Sequence, residues 1–167
     1  MNKKNIKPKK GFKKPQPREF EQKLVEVSRV TRVVAGGKRM RFRALVVIGN
    51  RKGKVGIGLK KGMDVAEAVN KAVNAAKKSM ITVPIVNETI PHEVKIKYKA
   101  SKIIMLPAKP GTGVIAGGAL RSVLDVAGVH NVVSKILGSN NKINNVRAAY
   151  EALKSLKSKE EIEAMRK

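Results

Sequence analysis

The chain contains no cysteine and no tryptophan among its 167 residues. The first absence excludes a disulfide framework, thiolate-ligated zinc and a cysteine nucleophile. The second, with aromatics at only 3% of residues, removes most of the platform on which unpaired bases stack. Phe42, Tyr98 and Tyr150 fall on the apolar faces of predicted elements, so they are spent on a core. Long apolar runs are also missing. The longest, Ala44–Ile48, is too short to cross a membrane, and no signal-peptide apolar region follows the basic start. No membrane is expected as a partner, and the expected location is the cytoplasm. Histidine and aspartate are scarce. His92, His130, Asp64 and Asp125 lie on separate predicted elements, which provides no acid–base pair and no cluster of metal ligands. No enzyme activity, cofactor, metal or small-molecule substrate is expected.

Acid is the most telling scarcity. Asp and Glu number 12 against 37 Lys and Arg, a formal net charge of +25. Such a chain repels itself until a polyanion neutralises it, and nucleic acid is the common polyanion of cells. Residues 1–18 hold 8 Lys or Arg and no acid, and residues 27–62 hold 11 and again no acid. Up to residue 62 there are 20 bases against 3 acids, and beyond it 17 against 9. The polyanion site is therefore weighted to the first half. With few stacking residues, its arginines and lysines suit phosphates and the shape of structured, largely duplex RNA.

The opening MNKKNIKPKKGFKKPQPR has no apolar periodicity and reads as a disordered basic tail over 1–18. A helix or strand lead over 19–26 precedes SRVTRVV, which is extended. AGGK at 35–38 is a hairpin turn in which Gly36 and Gly37 are expected at positive φ. In RMRFRALVVIG the alternation puts Arg39, Arg41 and Arg43 on one face and Met40, Phe42, Ala44, Val46 and Ile48 on the other. After the NRKG turn at 50–53, KVGIGLKK is expected to point Val55, Ile57 and Leu59 inward and Gly56 and Gly58 outward. A helix to about Met80 follows, capped by Asp64 and Glu67, with Val65, Val69, Val73 and Ala76 as its apolar stripe. The first unit, 19–81, is thus three antiparallel strands backed by a helix, and 82–87 is a linker. The second unit, 88–157, alternates strands and helices: HEVKIKYK, then 103–106, a helix near 118–127, the strand NVVSKIL, and a helix from about Asn141. A short capped helix or tail, 158–167, closes the chain. The fold class is α+β.

PGTGVIAGG at 110–118 sits between a predicted strand and a predicted helix, the layout of a phosphate-binding loop. Both nucleotide fingerprints fail there. G-x-G-x-x-A needs an acid about twenty residues on, and 126–142 contains none; a P-loop needs Lys-Ser/Thr after its last glycine, and Ala119-Leu120 stand there. What remains is a helix N-terminus suited to RNA or protein contact, or a tight turn.

GKRMRFRALVVIGNRKGKVGIG, 37–58, resembles the signature of bacterial small-subunit ribosomal protein S five, and PGTGVIAGGALRSVLDVAGVHNVVSKILGSNN, 110–141, resembles that family's second-domain core. The resemblance covers about residues 19–157. It implies an N-terminal α-β-β-β-α domain similar to double-stranded-RNA-binding folds and a C-terminal α/β domain of the S five domain-two type. It implies a structural constituent of the small ribosomal subunit, bound to ribosomal RNA near the decoding region and the tunnel where messenger RNA enters, supporting accuracy and messenger unwinding. A free RNA chaperone or duplex-RNA-binding protein is the alternative. The RNA-binding residues are then expected among Arg29, Arg32, Lys38, Arg39, Arg41 and Arg43, and among Arg51, Lys52, Lys54, Lys60 and Lys61. The loop containing Val30, Thr31, Arg32, Gly36 and Gly37 is expected near the spectinomycin site. The resemblance places Gly111, Thr112, Gly113, Gly117, Gly118 and Arg121 against ribosomal protein S four, with S eight a further neighbour. Two departures stand out. The helix start where duplex-RNA domains place lysines reads Asp64-Val-Ala-Glu67, and Ala35 occupies a loop position that is often basic.

Overall fold

The computed structural model describes residues 20–166, so the expected basic tail over 1–18 lies outside the described residues. The chain from Glu21 is already strand: β1 (Glu21–Val34) pairs antiparallel with β2 (Gly37–Gly49), and β2 with β3 (Lys54–Gly62). Of the helix or strand lead expected over 19–26, the described residues show strand, and the first domain reads β-β-β-α over the described residues. Helix α1 (Val65–Lys78) follows, and then a short strand absent from the sequence reading, β4 (Met80–Thr82), which pairs with β3 and extends the first sheet to β1-β2-β3-β4. The expected helix end and linker start are thus the fourth strand. The second sheet joins β5 (Val94–Tyr98), β6 (Ser101–Pro107), β7 (Val114–Ile115) and β8 (Val132–Ile136) in the order β5-β6-β8-β7. Helices α2 (Gly118–Ala127) and α3 (Lys142–Lys154) cover one of its faces, and α4 (Lys159–Arg166) ends the chain.

Helix α1 sits unusually close to its sheet, and the residues explain why. Its buried stripe is Ala68, Ala72 and Ala76, spaced i, i+4, while Val69 and Val73 pack only in part. Facing these alanines are Gly56, Gly58 and Gly62 of β3. A methyl group on Gly58 would overlap the carbonyl oxygen of Ala72, and one on Gly62 would lie 2.5 Å from the backbone nitrogen of Ala68. The glycines expected to point outward face the helix instead. Their alternation with Val55, Ile57 and Leu59 reflects two packed faces: small residues against α1, large ones against the second domain. The cap also differs from expectation. Asp64 makes no side-chain cap bond; the Glu67 carboxylate accepts from the Met63 N–H at 2.6 Å and also pairs with Lys71. Together, Lys71 and that N–H hold Glu67 below its usual carboxylate pKa range.

The two domains share one core. Ala44, Val46 and Ile48 of β2 face α1, whereas Leu45 and Val47 face α2 and join a cluster with Leu120, Val123 and Val126. The β2–β3 turn docks on the end of α2, with the Arg51 N–H donating to Val126 O at 3.1 Å and the Gly53 N–H to Ala127 O at 2.9 Å. Lys23 pairs with Asp125 at 2.8 Å, and the Tyr150 hydroxyl donates to Ser79 O at 2.9 Å. A bulge at Val25 adds that side chain to the shared core and switches the parity of β1, so that Leu24 lies opposite Val46 but Glu26 opposite Leu45.

Gly58→Ala is expected to lower stability by about 1–3 kcal/mol, because backbone must shift to admit the methyl group. Gly36→Ala, with nothing within 4 Å of the added carbon, serves as the control and should stay within about 0.5 kcal/mol of wild type. Urea unfolding midpoints measure both; equal midpoints would refute the close-packing account.

Candidate nucleic-acid interface

The paired strands of β1 and β2 outrun the core. Ala44–Ile48 are buried on both faces, yet Arg29–Met40 carry no buried residue and form a free two-stranded arm. The register sorts its side chains. Arg32 lies directly opposite Arg39, Val30 opposite Arg41, and Ser28 opposite Arg43, whose Nε donates to Ser28 Oγ at 3.2 Å. Lys61 of β3 lies opposite Arg43. One face therefore collects Arg32, Arg39, Arg41, Arg43 and Lys61, and all but Arg43 line a groove of about 290 Å³ with Val30 and Val34. No carboxylate lies in 27–62, and none of these five cations makes an ion pair among the described residues.

The other expected RNA-binding residues separate from this face. Arg29 and Lys38 occupy the reverse face of the arm, where the Arg29 guanidinium lies against the Met40 sulfur. Thr31 is on that side too. Lys60 faces the α1 side, near Lys71 and Lys78. Arg51 and Lys52 belong to the β2–β3 turn, and Lys54 opens β3. That turn is the opposite end of β2 from the arm tip, roughly 40 Å away at about 3.3 Å per residue. Arg51 is partly neutralised by Glu21, whose carboxyl it holds below the usual range through hydrogen bonds that include Nη2 to Oε1 at 2.8 Å. At the tip, Ala35 and Gly36 form the turn, and Gly37 alone of the two glycines takes positive φ, at 139°. The expectation therefore holds for Gly37, which pairs opposite Val34, and fails for Gly36.

The glycine-rich stretch divides in two. Gly111 and Gly113 form a turn after β6, and β7 then leads through Ala116 and Gly117 into α2 and pairs parallel with β8. Gly111 and Gly113, at φ 91° and 74°, turn the chain around the side chain of Asn131. Its amide oxygen accepts from the Gly111 N–H at 3.0 Å and the Gly113 N–H at 3.2 Å, while its nitrogen donates to Glu88 Oε2 at 3.3 Å. Two donors of the turn are thus taken, whereas the N-terminus of α2 carries no side-chain cap. Thr112 stands exposed on this turn; Gly117 precedes α2 as its N-cap, Gly118 opens it, and Arg121 is exposed on its first turn. Asn131, 4% exposed, went unnoticed in the sequence because its partners lie about twenty and forty residues away.

Comparison with known families decides the identity. The N-terminal domain of ribosomal protein S5 matches residues 20–84, and the C-terminal domain of ribosomal protein S5 matches residues 96–166. The chain belongs to the ribosomal protein S5 family. It is accordingly a constituent of the small ribosomal subunit that binds ribosomal RNA. Membership in the S5 family also accounts for the net charge, since ribosomal RNA is a polyanion. No helix among the described residues is long and apolar enough to cross a membrane.

If the 111–118 loop held a nucleotide, ligand at a hundredfold excess over its Kd would add about 2.7 kcal/mol of stability, several degrees in Tm. With the Gly111 and Gly113 N–H groups bound to Asn131, ATP, GTP and NAD are each expected to leave Tm unchanged. A concentration-dependent rise in calorimetry would contradict this.

Proposed function

We propose that the β1–β2 arm is the segment that grips ribosomal RNA, and that it does so near the decoding region and the tunnel where messenger RNA enters. There the protein supports translational accuracy and the unwinding of messenger structure. The observation that carries this reading is the uncompensated guanidinium face. Arg32 directly opposite Arg39 is a repulsive cross-strand pair, and a two-stranded ribbon without a core is marginal in water. A phosphate backbone relieves both problems, because each guanidinium can donate two parallel bonds to phosphate oxygens. The shortage of stacking aromatics favours contact with structured RNA over unpaired bases.

The rest of the reading follows from the family. The arm tip, Val30–Gly37, lies near the spectinomycin site. The exposed turn of Gly111–Gly113 and the start of α2, with Arg121, face ribosomal protein S four, and S eight is a further neighbour. The protein acts in the cytoplasm, as a non-enzymatic part of the subunit. Lys60, Arg51, Lys52 and Lys54 add charge on other sides of the first domain and reach RNA segments separate from those under the arm.

Arg41→Ala combined with Arg43→Ala is expected to weaken RNA binding without loss of fold. Removing two phosphate contacts should flatten the dependence of log K on log salt by about two units. An unchanged slope in a filter-binding titration would sink the assignment of this face. Arg121→Glu is expected to leave that slope at its wild-type value while raising miscoding in cells that depend on the variant. Wild-type accuracy in such a strain would show that the start of α2 has no part in decoding.

A further inference from the structure

The starts of α2 and α3 open onto one groove at the junction of the two domains, with a volume of about 440 Å³. Leu24 and Val25 of β1 and Ile136 of β8 form its apolar wall. Gly118 and Ala119 of α2, and Lys142 and Asn145 of α3, bring polar groups to it, and no carboxylate lines it. No side chain caps α2, so the N–H groups of its first turn, those of Gly118 and Ala119 among them, open onto the groove. The nearest hydroxyl, that of Ser122, donates back to Gly118 O at 3.0 Å and leaves those N–H groups free.

A buried amide points to a ligand independently. Asn145 is 2% exposed, and its Oδ1 accepts from the Ser101 hydroxyl. Its Nδ2 has no partner among the described residues. No side-chain polar atom among them is both sealed from solvent and unpaired, so Nδ2 is the end that reaches the groove. A buried amide N–H without an acceptor is costly, and the groove is where an acceptor can enter. Lys142 adds a charge. It is the first residue of α3, where a cation opposes the helix dipole, and it makes no ion pair among the described residues. Backbone N–H groups, an amide N–H and an ammonium thus face one space with nothing to accept from them.

We propose that this groove binds a single phosphate group. Its tetrahedral oxygens can accept from the first turn of α2, from Asn145 Nδ2 and from Lys142 Nζ at once, whereas a planar carboxylate has two oxygens to share among them. An RNA backbone and free phosphate present the same group, and the donors are the same for both. Leu24, Val25 and Ile136 give a ribose or base no polar partner. Affinity is therefore that of the phosphate alone, in the millimolar range, above the range in which a nucleotide fingerprint binds. An anion held here ties β1, α2 and α3 together, so occupancy stabilises the domain junction. The site lies apart from the arm, and its assignment does not depend on the arm's.

The test follows melting of the full chain in sodium phosphate and in sodium chloride of matched ionic strength. Wild type is expected to melt about 3–5 °C higher when phosphate stands at tenfold its Kd. The rise should follow the logarithm of concentration, unlike the linear effect of an excluded salt. Two variants remove donors and keep the fold. Lys142→Ala removes the ammonium. Gly118→Pro removes an N–H at the first helical position, where proline is favoured. Gly117 before it already has φ −61° and ψ 150°, and nothing lies within 4 Å of a carbon added at 118. Each variant is expected to keep its melting temperature in chloride and to lose about half or more of the phosphate shift. Lys135→Ala removes an equal charge outside the groove and should keep the whole shift. No rise in wild type, a rise linear in phosphate, or an equal rise in Lys142→Ala and Gly118→Pro would overturn the proposal. A second arm assigns the source, by binding the full chain to small-subunit RNA with scattered phosphorothioate linkages. A linkage that weakens wild type about threefold and leaves Gly118→Pro unaffected supports the site with RNA as its source. The phosphate shift without such a linkage supports it with free phosphate as its source. Failure of the arm reading shows separately, as an unchanged salt slope on loss of Arg41 and Arg43.

Discussion

The contact between α2 and the first sheet is the constraint on which the rest of the molecule depends. Leu45 and Val47 of β2, with Val55 of β3, would be exposed on a free four-stranded sheet; Leu120, Val123 and Val126 of α2 join them in one buried cluster. Backbone bonds from the 50–53 turn to the end of α2, the Lys23–Asp125 pair and the Tyr150–Ser79 bond reinforce that contact at its margins. Burial makes the Tyr150 phenol harder to ionise, so its contribution to stability is present at neutral pH and fades only as pH rises past the ordinary tyrosine range. Two sequence families of domain thus meet in one hydrophobic cluster, and the sheet gains a second buried face. Without that second face, the base of the arm would have nothing rigid to grow from.

Much of this organisation is legible in the residues. The alternation of 39–48 correctly sorted the arginines from Ala44, Val46 and Ile48, and the glycines around α2 marked its start and end. The Ser158/Glu161 box at the final helix appears as expected, each partner accepting from the other's backbone. Periodicity reads well wherever one face is wet and the other dry.

It fails where both faces are dry, or where small residues carry the packing. Gly56 and Gly58 looked solvent-facing because a glycine gives no hydrophobic signal, yet their lack of a side chain is what allows α1 to approach. For the same reason Ala68 and Ala72 lost to the valines in the expected stripe, of which only Ala76 is fully buried. Glu67 and Asp64 carried the right signature for a capping box, but only the glutamate bonds to backbone. Of the site, the guanidinium face was readable from one strand, while its partners Arg32 and Lys61 required the register. Of the glycine loop, the missing acid and lysine were legible, whereas the amide around which its turn closes comes from Asn131, which no local pattern connects to it.

The arm inherits its geometry. Its two strands have no core to fix how they pair, so their register is set farther down, where Ala44 and Leu45 meet different neighbours, and is only transmitted outward. Since side chains alternate with a period of two, a slip of one residue at that base would leave the ribbon paired but inside out. Arg29, Lys38 and Met40 would then stand where four guanidiniums now face outward. The sidedness of the charge is thus a property of the core, and the apolar side chains that fix the base of the arm decide which way its guanidiniums point.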